Sequence, residues 1–77
     1  MEISITYCVQ WDYRPNAVSL AARINAALKK KLNADVHLIE GSKGIFDVMV
    51  DGKLCYSKYQ TGCFPDEQQL VDLLQSH

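Results

Sequence analysis

The residue with the most chemical potential is Cys8, at the end of the run Ile3-Ser4-Ile5-Thr6-Tyr7-Cys8 and a short loop ahead of a long amphipathic stretch. A thiol at the seam of a strand and a helix lies beside the free amides that open the helix, and their partial positive charge favours thiolate over thiol. Such a thiolate attacks a disulfide or a peroxide, giving a mixed disulfide or a sulfenic acid. It cannot finish a redox cycle without a second sulfur. A dithiol centre places that sulfur three residues on, and here the position is Trp11. Cys63, in Gly62-Cys63-Phe64-Pro65, is a candidate internal resolver if its alpha carbon comes within about 7 Å of that of Cys8. Cys55 reads as a packing or surface residue between Leu54 and Tyr56.

Other chemistries find little support. His37 and His77 are far apart and no cysteine pair has zinc-ligand spacing, so no metal and no bound cofactor are expected. Asp51 belongs to a turn, while Asp66 and Glu67 begin a helix, which leaves no carboxylate pair for acid–base work. Gly41-Ser42-Lys43-Gly44 lies between two strands with no helix after it, and reads as a turn and not a phosphate loop. Trp11 and Phe64 shield the Cys8 loop, line a groove beside it for a peptide or for glutathione, or do both. Arg14, in the same loop, is either solvated or meets a carboxylate of a bound peptide.

These residues need a frame to hold them. Ile3, Ile5 and Tyr7 alternate with Ser4 and Thr6, the period of a half-buried strand. From Ala17 to Leu32 the apolar residues recur at three- and four-residue steps, predicting a helix with Asn16 as N-cap, Pro15 at its entry and Asn33 at its end. Lys29, Lys30 and Lys31 then fall in the last turn, where cations suit the carbonyl end. Val36 to Glu40 is a strand, and a strand, helix and strand so briefly joined form a right-handed parallel unit. Ile45 to Val50 and Lys53 to Ser57 flank Asp51-Gly52, the signature of a tight hairpin. Pro65 to Gln75 closes the chain as a helix with Leu70, Leu73 and Leu74 as its buried stripe.

The expected fold is α/β in the order β-α-β-β-β-α, a four-stranded mixed sheet with both helices on one face. Val36, Leu38, Phe46, Val48 and Val50 should point inward. Ser4, Thr6, His37, Ile39, Ile45, Asp47 and Met49 then face outward, where Ile39, Ile45 and Met49 are more apolar than solvent requires. A second copy forming a homodimer, or another partner, would suit that face.

Composition narrows the classes further. Seventy-seven residues make one small domain, expected to span 1–77, and 48% hydrophobic with 22% charged residues is ordinary for a globular chain. A formal net charge of -1 offers no field for polyanions, so nucleic acid is not an expected partner. No stretch has membrane-spanning length and no charged leader is followed by an apolar run, so no membrane partner is expected and a cytoplasmic location is. Three cysteines without a leader argue for reduced thiols.

Tyr7-Cys8-Val9-Gln10-Trp11 at the start, Gly41-Ser42-Lys43-Gly44-Ile45-Phe46-Asp47-Val48-Met49-Val50-Asp51-Gly52-Lys53-Leu54 in the middle and Gly62-Cys63-Phe64-Pro65 before the last helix together resemble the Rdx group of thioredoxin-like proteins, related to selenoprotein W. The resemblance runs along nearly the whole chain. It implies a thioredoxin-like fold and redox work through a Cys-x-x-Cys or Cys-x-x-selenocysteine motif, with Cys8 at the first position and Trp11 at the second. The departure at Trp11 fits a natural loss, a replacement, or a selenocysteine codon read as tryptophan, one base away. The resemblance also implies glutathione, or a protein thiol or disulfide, as co-substrate. With one sulfur missing, two functions stand side by side: a monothiol redox protein, and a binding module on the same scaffold that has lost turnover. In the first, Cys8 is expected to have a lowered pKa and to alkylate faster than Cys55.

Overall fold

The computed structural model describes residues 2–32 and 35–75, with only the backbone of residues 29–32. The predicted helix cap at Asn33 and the placement of the three lysine side chains lie outside the described residues. Strand β1 (Glu2–Cys8) leads through a loop into helix α1 (Arg14–Leu32), then β2 (Asp35–Gly41), β3 (Phe46–Val50), β4 (Lys53–Ser57), the single turn α2 (Lys58–Thr61) and α3 (Glu67–Gln75). The strands lie in the order β2-β1-β3-β4. β1 runs parallel to β2 and antiparallel to β3, and β3 and β4 form an antiparallel hairpin. The period-two residues of β1 therefore sit at the centre of the sheet, as the expected mixed topology requires.

One core fills the space between the sheet and the two long helices. Ile3, Ile5 and Tyr7 of β1 and Phe46, Val48 and Val50 of β3 meet Ala17, Leu20, Ile24 and Leu28 of α1 and Leu70, Val71 and Leu74 of α3. Both helices thus cover the same face. β2 is less well covered than its pattern suggests: Val36 packs against the core, but Leu38 is exposed because an edge strand has a neighbour on one side only. On the opposite face Ile39 is 46% exposed, while Ile45 and Met49 are half-buried. Among the described residues no helix is long and apolar enough to cross a membrane.

Four local details differ from the sequence expectation. Helix α1 begins at Arg14, so Asn16 lies inside the first turn and is not its cap. Pro15 permits this because a first-turn residue needs no N–H donor, and the Tyr13 carbonyl accepts the first helical bond from Ala17 N–H at 3.1 Å. α3 starts at Glu67, two residues after Pro65, because Asp66 caps it: its Oδ1 accepts from Gln69 N–H at 3.0 Å. The buried stripe of α3 is Leu70, Val71 and Leu74, with Leu73 52% exposed. Finally, a bulge between Val48 and Met49 leaves Cys55 as an extra residue in β4, so that Cys55 and Tyr56 both pack against the core instead of alternating.

The hairpin turn itself behaves as its residues require. Asp51 and Gly52 both have positive φ, 50° and 84°, the type I′ geometry whose twist matches the strands. The helices touch through an exposed contact in which Arg23 donates to Gln68 Oε1 at 3.0 Å and lies 3.9 Å from Glu67. Burial of the α3 stripe should dominate over this link. Leu74→Ala is expected to lower unfolding free energy by about 2–5 kcal/mol. Arg23→Ala should change it by less than about 1 kcal/mol. Urea denaturation followed by circular dichroism measures both, and similar losses would mean that α3 is not held by its apolar face.

Candidate functional site at the carboxyl end of the first strand

Three connections meet at one end of the sheet: the loop of residues 9–13, the turn of residues 42–45, and the segment from α2 to Pro65. The first is fixed by its backbone. Val9 N–H donates to the Gly41 carbonyl at 3.3 Å, Asp12 N–H to Val9 at 3.1 Å and Tyr13 N–H to Cys8 at 3.0 Å. Asp12 takes φ of 57°, a left-handed conformation that aspartate tolerates better than most residues. The loop turns tightly enough that Trp11 N–H donates to Cys8 Sγ at 3.3 Å. The sulfur thus has an amide partner three residues ahead, supplied by the loop and not by the first turn of the helix.

Access differs from expectation. Cys8 is fully buried, at 0% exposure, whereas a thiol that attacks directly from this conformation must be open. The reason lies in the pairing. Cys8 and Gly41 are the last pair of the parallel ladder, and the chain continues beyond them into two loops that close together. Gly44, buried and at φ 75°, lies flush against the Trp11 ring; a Cβ added to it would approach Trp11 Cζ3 to 2.5 Å. Trp11 nevertheless remains 60% exposed on its other side.

The third connection joins the site through aromatic rings. Phe64 stacks edge-on against Tyr13, with centroids 4.8 Å apart, and against Phe46 at 5.2 Å. Trp11 meets Tyr13 edge-on at 6.1 Å. Phe64 thereby fills the junction between the Cys8 loop and the core. Arg14 is exposed at the first position of α1. Cys63 is exposed and unbonded, its Sγ 3.7 Å from the Tyr56 hydroxyl. All three cysteines are free, so the internal pairing of Cys8 with Cys63 is not made in this structure.

α2 was not anticipated, although Gly62, which ends it at φ 80°, is the signal that marks it. This single turn brings two further residues to the site. Lys58 holds its Nζ 5.6 Å from the Tyr13 ring centroid and 5.4 Å from that of Phe64, a cation–π contact. Tyr59 donates its hydroxyl proton to the Lys43 carbonyl and so ties α2 to the turn that carries Gly44. Behind them, the Tyr56 hydroxyl donates to the Cys63 carbonyl at 2.6 Å, and Thr61 Oγ1 lies 2.8 Å from that hydroxyl. Partial burial raises the Tyr56 phenol above its ordinary pKa, with the Cys63 thiol adding to the rise and the Thr61 hydrogen bond opposing it.

The model of the Rdx family matches residues 2–76. The chain belongs to the Rdx family. A crystal structure of a protein from Bordetella parapertussis superposes with a TM-score of 0.91 and 25% identity, covering 99% of this chain and 95% of that one. The crystal structure of a selenoprotein W-related protein from Vibrio cholerae gives a TM-score of 0.83 at 24% identity, over 95% and 94% of the two chains. No curated protein matches. The Rdx match supports a thioredoxin-like, redox-type family, and the Vibrio cholerae structure shares its fold.

Burial raises the Cys55 thiol above its usual pKa, so at a given pH near neutrality less of it is thiolate than of an unperturbed cysteine. Exposed Cys63 should therefore alkylate before Cys55 in the folded protein. Lifting the pH from 7 to 9 should accelerate Cys55, because more of a raised-pKa thiol ionises over that range. Peptide mapping after timed iodoacetamide treatment reads the order. Labelling of Cys55 ahead of Cys63 would contradict the burial seen in β4.

Proposed function

We propose that this chain is a thiol redox protein in which Cys8 works as the single reactive sulfur and Trp11 occupies the place of the second redox residue. The observation that carries this reading is the hydrogen bond from Trp11 N–H to Cys8 Sγ, 3.3 Å long, at the end of the central strand. An amide proton aimed at sulfur stabilises negative charge on it, and here it comes from the backbone of position 11 and not from its side chain. Reaction requires the sulfur to be uncovered first.

The chemistry is then a thiol–disulfide exchange. The Cys8 thiolate attacks the glutathione sulfur of a mixed disulfide between glutathione and a partner protein; the partner leaves as its thiolate and a Cys8–glutathione disulfide forms. A second glutathione thiolate attacks the glutathione sulfur of that disulfide. Cys8 thiolate is released, glutathione disulfide leaves, and the partner's sulfur has been reduced at the expense of one glutathione thiol, the other glutathione coming from the mixed disulfide itself. Arg14 and Cys63, both exposed at this end, would flank the bound tripeptide, and Phe64 would back the loop from within.

A second reading is favoured by the complete burial of Cys8: a protein-binding module without turnover. A groove of about 310 Å³ between β4 and α3, lined by Tyr56, Pro65, Asp66, Gln69, Leu70 and Leu73, offers it a surface. Restoring the missing sulfur separates the two. Trp11→Cys should form an intramolecular disulfide between positions 8 and 11 under mild oxidation, seen as a loss of two mass units and a linked peptide. The unsubstituted protein, treated with glutathione disulfide, should gain one glutathione at Cys8. A folded Trp11→Cys variant without the link, together with no adduct at Cys8, would leave the binding reading in possession.

A further inference from the structure

We infer that the outer edge of β2 is a self-pairing surface, where a second copy of this chain adds its own β2 antiparallel and extends the sheet through a two-fold axis at Leu38. β2 is an outer strand, paired to β1 along its whole length from Asp35 to Gly41 without a register shift. One bond fixes which of its backbone groups are used. Val9 N–H donates to the Gly41 carbonyl, so Gly41 and the alternate residues Ile39, His37 and Asp35 turn their amides and carbonyls toward β1. Val36, Leu38 and Glu40 turn theirs outward, where no strand lies alongside among the described residues.

Side chains on both faces of this edge are left open. Leu38, level with the core residue Ile5, is 39% exposed, and Ile39, level with Thr6 on the opposite face, is 46% exposed. A partner lying on either face covers one of them; a strand alongside covers both. A second copy fits because β2 matches itself. With the axis at Leu38, this residue exchanges both backbone bonds with Leu38 of the second copy and Val36 does so with Glu40, while Asp35 and His37 stand opposite Gly41 and Ile39. Every residue of the strand is then paired, and neither carboxylate faces another. An axis at His37 or Ile39 leaves part of the strand unpaired. α1 also leaves room. Arg23 meets α3 on one flank of the helix; the opposite flank, on the β2 side, carries the short side chains of Val18, Ala21 and Asn25, beside which the second α1 lies. The contact closes on itself, because the bulge in the β3–β4 pairing spoils the other edge for a head-to-tail run of copies. The two Cys8 ends point to opposite ends of the shared sheet.

Because an edge contact is smaller than a standard interface, the dimer is sought by sedimentation equilibrium from about 10 µM to about 1 mM. The unsubstituted protein should pass from monomer to dimer in that range; a chain still monomeric at its upper end would overturn the proposal and leave the edge to a strand of another protein. Leu38→Pro removes the central outward N–H while every donor to β1 remains, and should abolish the dimer with the far-UV circular dichroism unchanged. Ile39→Lys leaves the core untouched and sets like charges diagonally across the axis, so it should raise the dissociation constant by about tenfold or more. If Leu38→Pro does not fold, Ile39→Lys decides. A dimer that survives in folded variants sits elsewhere, on the open sheet face, and would overturn the edge. The register has its own test, on protein carrying Cys55→Ser and Cys63→Ser. A mixture of His37→Cys and Ile39→Cys chains should cross-link under mild oxidation faster than either alone, since opposed alpha carbons at such a pair lie about 4.5 Å apart. Equal linking in all three samples would overturn the axis at Leu38.

Discussion

β1 is the constraint on which the molecule depends. It is the one strand paired on both sides by strands that run in opposite senses, parallel to β2 and antiparallel to β3. Parallel pairing demands a crossover, which fixes α1 over the sheet; antiparallel pairing on the other side lets β3 and β4 follow as a hairpin. Ile3, Ile5 and Tyr7 then lie beneath both helices at the middle of the core. Any slip of β1 by one residue would turn these three outward and carry Cys8 to the other face. The placement of the sulfur is thus inherited from the packing of the strand that ends in it.

The surroundings of that sulfur are made of three pieces that are distant in the chain and close in space. Aromatic contacts, rather than charges, join them: Tyr13 belongs to the first piece, Phe46 to the sheet and Phe64 to the third. Edge-to-face rings of this kind add to the burial they provide. Lys58 lies over two of these rings, and its aliphatic stem can cover apolar surface while the ammonium stays near water.

Much of the fold was legible because the signals were redundant. The change of hydrophobic period between β1 and α1, and Asp51-Gly52 between two short apolar runs, each point to one element with no competing reading. What stayed hidden was decided by tertiary geometry. Nothing in Leu54-Cys55-Tyr56 announces a bulge, since a bulge is a property of two strands together. Leu73 and Val71 are equally good stripe residues until the angle of α3 against α1 chooses between them. At the site, the position of Cys8 and its neighbour at 11 could be read directly. The packing of Trp11 on Gly44 could not, because the two are thirty-three positions apart in the chain and meet across a turn whose shape no local pattern specifies.

The bulge at Cys55 also bears on how the sheet ends. β4 is an outer strand, and a regular outer strand offers a row of amides and carbonyls at even spacing to any extended segment that comes alongside. With an extra residue between its pairings to β3, β4 twists away from that regular row and presents an interrupted ladder. The hairpin is therefore a poor template for further strands. A domain this small, with few layers to hide its margins, is protected on that side from growing into a sheet shared with its neighbours.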